Sequence, residues 1–290
     1  MSSKKILITG ANGQLGSALN LILGQYPSLY ELINTGHQEL DITDKDRVEE
    51  YIAKTLPHFV INCAAYTAVD KAESEIDIAT AINVEGVRNL ARAANLHKLP
   101  IIHISTDFVF DGKTSIPLVE DSFCNPINVY GSSKYKGEQA AQAENSKHFI
   151  IRTSWLYSSV GHNFLKSITK LATERSTLSI VFDQIGTPTF ANDLALAVKK
   201  IIDSELAAYG VYHFSNEGVA SWYDFAKELI DIQGINCEIV PIVSSEYHTP
   251  AKRPAYSVLN KSKIKATFQI EIPYWKDSLR ACILEMNSVE

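Results

Sequence analysis

The 290-residue chain carries 33 acidic and 27 basic residues, a formal net charge of −6 at neutral pH. With 46% hydrophobic and 21% charged residues it has globular composition, and its 10 Pro and 14 Gly exclude a collagen-like or linker-dominated chain. A chain of this size buries a full core without staples, and its acidic balance excludes a broad basic face for nucleic acid or anionic membrane while leaving room for a small anion held by a few local cations.

Apolar runs alternate with helical patterns through the first two-thirds. Lys5-Ile6-Leu7-Ile8-Thr9 reads as a buried strand and Gln14 to Leu23 as the helix after it. A weaker strand follows at Tyr30-Glu31-Leu32-Ile33, then a helix capped by Thr43 or Asp44 and running to about Leu56. Phe59-Val60-Ile61 predicts a strand, 70–97 helices, and Ile101-Ile102-His103-Ile104 a fourth strand. A helix from Tyr130 to Glu144 leads into His148-Phe149-Ile150-Ile151. Strand alternating with helix predicts an α/β fold, a Rossmann-like doubly wound parallel sheet covered on both faces. Beyond Arg152 the rhythm loosens: a helix at 162–174, a strand from Leu178 to Phe182, a helix from Asn192 to Asp203 and a strand at Tyr212-His213-Phe214. Ser221 with Asp224 is a capping signature for the next helix. A strand near Glu238-Ile239-Val240, a loop with Pro250 and Pro254, and a helix from Trp275 close the chain. This predicts a dinucleotide-binding domain over 1–153, with 178–215 returning to it. A smaller C-terminal substrate-binding lobe is then built from 154–177 and 216–290.

The first apolar run is too short for a signal peptide, and no run approaches the ~20 residues that span a bilayer. Cys63, Cys124, Cys237 and Cys282 are scattered without a CxxC pattern, which reads as reduced thiols in a cytoplasmic protein. The eight histidines show no metal-ligand spacing, so no metal is expected.

Thr9-Gly10-Ala11-Asn12-Gly13-Gln14-Leu15-Gly16 joins the first strand to the first helix. Gly10 suits a tight turn, Gly13 a close approach of backbone to a pyrophosphate, and Gly16 close packing of helix on strand; the helix N-terminus offers free N–H groups to phosphates. The second strand ends in Asn34-Thr35-Gly36-His37, with neither the acid that would grip a ribose hydroxyl nor an Arg for a 2′-phosphate. The expected cofactor is NADPH, with NADH tolerated.

Tyr130 and Lys134 lie at i, i+4 on one helix face, where an ammonium would favour the phenolate and the pair suits proton transfer to a carbonyl. Tyr223 and Lys227 repeat the spacing outside the strand–helix series, on what reads as a surface helix. The fourth strand ends in Ser105 and Thr106, either of which could hydrogen-bond the same carbonyl.

These features together resemble the extended short-chain dehydrogenase/reductase family. Further segments narrow the resemblance to the dTDP-4-dehydrorhamnose reductases: Leu40-Asp41-Ile42-Thr43, Asn62 to Asp70 followed by Lys71-Ala72-Glu73, and Ser105 to Phe110. Arg152 to Tyr157, Asp183 to Thr189 and Thr249 to Pro254 extend it over nearly the whole chain. The resemblance implies reduction of the C4 keto group of a dTDP-linked sugar, with Tyr130 as proton donor, Lys134 as its partner and Thr106 on the substrate carbonyl. It implies dinucleotide contacts from Gly10, Asn12, Gly13, Gln14, Leu15, Gly16, Asp41, Ile42, Ala64, Ala65, Tyr66, Tyr130 and Lys134. Asp107, Trp155 and Arg253 would meet the sugar nucleotide. Some members of the family dimerise around a metal held by glutamates; here those positions are Ser17 and Asn192, so a monomer or weak homodimer without a metal bridge is expected. Alternatives on the same scaffold are a nucleotide-sugar epimerase or dehydratase, and a non-catalytic regulatory subunit like that of methionine adenosyltransferase. Dehydratases of this fold carry an Asp-Glu pair where this chain has Asp107-Phe108.

Overall fold

The computed structural model describes residues 3–287. Strand β1 (Lys4–Thr9), helix α1 (Gln14–Gly24), β2 (Tyr30–Thr35), α2 (Lys45–Thr55) and β3 (Phe59–Asn62) open the chain. Between β3 and β4 (Ile101–Thr106) run α3 (Val69–Ala72), α4 (Ile76–Thr80), a π-helical turn (Ala81–Gly86) and α5 (Val87–Leu96). Helix α6 (Val129–Glu144) joins β4 to β5 (His148–Thr153). There follow β6 (Leu156–Tyr157), α7 (Phe164–Glu174), β7 (Thr177–Val181), β8 (Ile185–Gly186), β9 (Thr189–Phe190), α8 (Ala191–Ser204) and β10 (Gly210–His213). Strand β11 (Ala220–Ser221), α9 (Trp222–Gln233), β12 (Glu238–Ile242), α10 (Ser262–Phe268) and α11 (Trp275–Asn287) complete it.

Six strands pair in parallel in the order β2-β1-β3-β4-β5-β10. Their side chains alternate between two cores, as the two-residue period of a strand requires. Ile6, Ile8, Ile61, Ile102, Phe149 and Ile151 pack with α1 and α8 on one face. Leu7, Val60, Ile101 and Ile150 pack with α2 and α5 on the other. Burial on both faces accounts for the unbroken apolar runs in the sequence. The chain turns back on itself between β1 and β3, which leaves a crevice at the carboxyl ends of those strands.

The lobe has its own core, in which Leu165, Ile168, Phe225, Leu229, Trp275 and Leu279 meet. The expected return of 178–215 to the first domain is narrower than the sequence implied. Strand β7 pairs with β12 inside the lobe, and only α8 and β10 come back to the large sheet. Helix α10, absent from the sequence-based elements, also joins the first core through Ile264 and Phe268. A seven-residue amphipathic turn is too short to stand out by periodicity. Among the described residues no helix is long and apolar enough to cross a membrane.

Candidate active site

The crevice widens into a cleft of about 790 Å³ between the carboxyl edge of the sheet and the lobe. At its floor the glycine turn is as tight as a glycine backbone allows. Gly10 has φ +66°, and a Cβ there would stand 2.6 Å from the Ala64 amide nitrogen, so only glycine lets the ends of β1 and β3 touch. A Cβ on Gly16 would stand 2.4 Å from the Gly10 carbonyl oxygen, which fixes α1 hard against the turn. Gly13 caps α1 without a side-chain hydrogen bond, so the first-turn amides have no cap. Uncapped amides above a cradle that any Cβ would fill fit the pyrophosphate of a dinucleotide.

Gly10, Gly13, Gln14, Leu15, Gly16, Asp41, Ile42, Ala64 and Ala65 all line this cleft. Two expected contacts are not among the lining residues. Asn12 is exposed, with its amide against Gly36. The Tyr66 hydroxyl donates to Glu75 at 2.7 Å and its N–H to Asn83 Oδ1 at 2.9 Å, turning the ring aside. The end of β2 does hold an acid: Glu39 Oε2 accepts the Gly36 N–H at 2.8 Å. It escaped the sequence reading because it lies beyond the strand and folds back onto it.

Helix α6 delivers the reacting groups. Asn128 caps it, accepting the Gly131 N–H at 2.7 Å, and a Cβ on Gly131 would stand 2.2 Å from the Phe108 carbonyl oxygen. That contact seats the first turn on the segment after β4 and brings the Tyr130 phenol beside the Thr106 hydroxyl, both lining the cleft. One turn on, the buried Lys134 ammonium donates to the Ile104 carbonyl at 2.6 Å. Ser105 donates to the buried Glu138 Oε1 at 2.5 Å, while the Thr106 hydroxyl, which lines the cleft, donates to Asp107 Oδ1 at 3.1 Å.

The expected lowering of the Tyr130 pKa is reversed. Burial pushes the phenol up to about 12; the neighbouring Thr106 hydroxyl pulls it down, the Asp107 charge pushes it up, and burial prevails. Lys134 is driven down to about 8 by burial against the opposing pull of Glu138 and the Cys63 thiol. Asp107 rises to about 6, again through burial, although the neighbouring Ser257 hydroxyl and the Thr106 hydrogen bond to its Oδ1 favour the anion. Its Oδ2 is buried with no hydrogen-bond partner among the described residues, an acceptor waiting for a ligand hydroxyl.

Beneath these groups lies an ion pair that the sequence reading did not find. Arg152 donates from Nε to Glu138 Oε1 at 2.9 Å and from Nη2 to Oε2 at 2.7 Å, with both side chains almost wholly buried. Its Nη1 reaches the Glu120 carbonyl at 3.0 Å and lies 3.4 Å from His213 Nε2. The network ties β4, α6, β5 and β10 together under Thr106 and Lys134.

On the lobe side, Trp155 and Trp222 line the cleft with their rings stacked 3.6 Å apart and 8° from parallel. Trp155 has φ +47°, a left-handed backbone uncommon for a bulky residue, and a Cβ on Gly186 would stand 2.8 Å from its ring. Arg253 also lines the cleft, but the end of its guanidinium is held by Asp70. Away from the cleft, Lys227 is half exposed and pairs with Asp231, as a surface helix would have it. Asn192 donates to Glu285 Oε2 at 2.7 Å, so an intrachain hydrogen bond occupies that position.

A family model described as the RmlD substrate binding domain matches residues 4–288. A dTDP-4-dehydrorhamnose reductase of Aggregatibacter actinomycetemcomitans is 43% identical, covering 95% of this chain and 97% of that protein. Among solved structures, a dTDP-4-dehydrorhamnose reductase of Clostridium acetobutylicum superposes with a TM-score of 0.94 at 43% identity, covering 98% of this chain and 99% of the other. The enzyme of that name from Bacillus anthracis, solved in complex with NADP, gives 0.94 at 39% identity with the same coverage. The chain belongs to the dTDP-4-dehydrorhamnose reductase family.

Proposed function

We infer that the protein reduces the C4 keto group of dTDP-4-dehydro-L-rhamnose to the alcohol of dTDP-L-rhamnose, with NADPH as the reductant. One observation carries the chemical assignment: a neutral phenol, Tyr130, stands beside the Thr106 hydroxyl in the same cleft as the glycine turn. Bound along α1 and the end of β3, NADPH supplies the hydride. The Thr106 hydroxyl, turning from Asp107 Oδ1, donates a hydrogen bond to the keto oxygen and fixes its direction. Tyr130, protonated throughout the neutral range because burial holds its pKa near 12, delivers its proton to that oxygen as charge develops there. Lys134 stabilises the phenolate left behind, its ammonium anchored on the Ile104 carbonyl. Asp107 accepts a sugar hydroxyl through its unpartnered Oδ2, and the Trp155 and Trp222 rings wall the sugar from bulk water.

Tyr130→Phe removes the proton and leaves the packing intact. Its rate of NADPH oxidation with dTDP-4-dehydrorhamnose, followed at the nicotinamide absorbance, should fall by about 10²–10⁴-fold, the usual worth of a positioned general acid. Near-normal turnover would remove Tyr130 from the mechanism.

A further inference from the structure

Asp70, at the start of α3, reaches across the cleft mouth to a loop 183 residues further along the chain. Arg253 Nη1 donates to Asp70 Oδ1 at 3.1 Å and Nη2 to Oδ2 at 2.8 Å. The same carboxylate accepts the Ala251 N–H at 3.2 Å, while Arg253 Nη1 also donates to the Ala251 carbonyl at 3.0 Å. One acid therefore holds both the backbone and the side chain of the loop. Asn128, the cap of α6, grips that loop a second time through the Lys252 carbonyl at 2.7 Å. The guanidinium hold also keeps the Asp70 carboxyl below its ordinary value, with burial opposing and the Ala251 amide assisting.

A guanidinium has five N–H groups in a planar fork. Asp70 and Ala251 take both on Nη1 and one on Nη2. The Nε–H and the second Nη2 N–H make no hydrogen bond among the described residues, and Arg253 lines the cleft. These two form the side edge of the fork, spaced to meet two oxygens of one phosphate in parallel. Charge placement leads to the same edge. Of the side chains lining the cleft, only Lys134 and Arg253 carry a full positive charge, and Lys134 is buried beneath the reacting groups, anchored on the Ile104 carbonyl. The cofactor's diphosphate has the amides of α1, so a second diphosphate has Arg253.

We propose that Asp70 is a positioning residue for the nucleotide sugar: by holding one end of the Arg253 fork it turns the side edge towards the substrate's diphosphate. The inference rests on the sugar-nucleotide reading above. Asp70 and the phosphate are served by different edges of one cation, so they share Arg253 and do not compete for it. Because the pair acts on binding and touches no reacting atom, its loss raises KM for the sugar nucleotide and leaves kcat near normal.

The test is calorimetric titration of the full-length protein with dTDP and, separately, with NADPH, on wild type, Asp70→Asn, Asp70→Glu, Arg253→Ala and the Asp70→Asn/Arg253→Ala double variant. Asp70→Asn should weaken dTDP binding about tenfold, the worth of one charge-assisted contact, with NADPH affinity and Tm unchanged. Asp70→Glu should restore part of the loss, and Asp70→Asn should add nothing in the Arg253→Ala background. Unchanged dTDP affinity in Asp70→Asn overturns the proposal. Tighter binding overturns it too and makes the carboxylate a competitor of the phosphate. Loss of both affinities assigns the pair to folding alone and is equally fatal. A wild-type protein that binds NADPH and not dTDP would instead bring down the substrate reading, and this inference with it.

Discussion

At the residue scale, the cleft sets two titratable groups on opposite sides of neutrality by the same means. Burial disfavours whichever form is charged, so it raises the phenol of Tyr130 and lowers the ammonium of Lys134. The phenol is thereby kept as an acid, and the lysine becomes the group that titrates within reach of working conditions. Lys134 is charged below about 8 and neutral above it, so its positive field beside Tyr130 is lost as pH rises through that value. The pH profile of kcat/KM, which reports free-enzyme groups, should therefore show a basic limb near 8. Lys134→Arg cannot lose its proton in that range, and whatever activity it keeps should lack the limb. A limb that persists in the arginine variant would belong to another group. The residues behind this pair were legible in the sequence; their electrostatics were not. An i, i+4 spacing says that an ammonium is near a phenol, but says nothing about the Ile104 carbonyl that holds the ammonium or the burial that outweighs it.

At the scale of elements, the glycine turn, α1, the end of β4 and the start of α6 were readable because each is a local pattern: a period, a cap, a spacing. What local patterns cannot contain is a pairing between distant segments. Glu138 with Arg152 is a partnership between helix and strand, and Asp70 with Arg253 one between α3 and a loop near the far end of the chain. Trp222 was not singled out in the sequence at all, yet its ring lies on Trp155. Tyr66 shows the same limit: Glu75 holds its hydroxyl and Asn83 its backbone N–H, pairings that no local pattern contains. The turn itself offers a direct test. Gly10→Ala forces a side chain into a left-handed residue, which costs about 1–2 kcal/mol, and drives a Cβ into Ala64 across the strand gap. The midpoint of urea unfolding should fall by at least that equivalent, and NADPH affinity should fall with it. An alanine variant with wild-type cofactor affinity would mean that the gap between β1 and β3 opens without consequence for the ligand.

At the scale of the whole molecule, β10 closes one edge of the large sheet and carries a histidine into its interior. His213 is fully buried, its Nδ1 3.1 Å from the Leu118 carbonyl oxygen and its Nε2 facing Arg152. Burial first, and the Arg152 charge second, push its pKa from 6.5 down to about 3. The unfolded chain therefore binds a proton at this site over a range where the folded chain does not. The contribution of His213 to folding stability is fully present above 6.5 and is lost progressively as pH falls towards 3. Asp107 works the other way, since its raised pKa makes the folded state bind a proton between about 6 and 3.8. The two are separated by His213→Gln, which is neutral in both states. The Tm of wild type relative to the variant should drop steadily over the acid range, and a constant difference would show that His213 does not charge on unfolding.

The stacked indoles also give the protein a built-in reporter. It has three tryptophans; Trp275 is sealed in the lobe core, and the other two lie parallel in the wall of the cleft. Two chromophores held face to face couple their electronic transitions, and the coupling depends steeply on their separation and angle. One comes from the link after β5 and the other from the first residue of α9, so their geometry registers any shift between these two segments of the cleft wall. Near-ultraviolet circular dichroism can thus follow a ligand settling against this wall of the cleft on an unlabelled chain, in the absence of turnover.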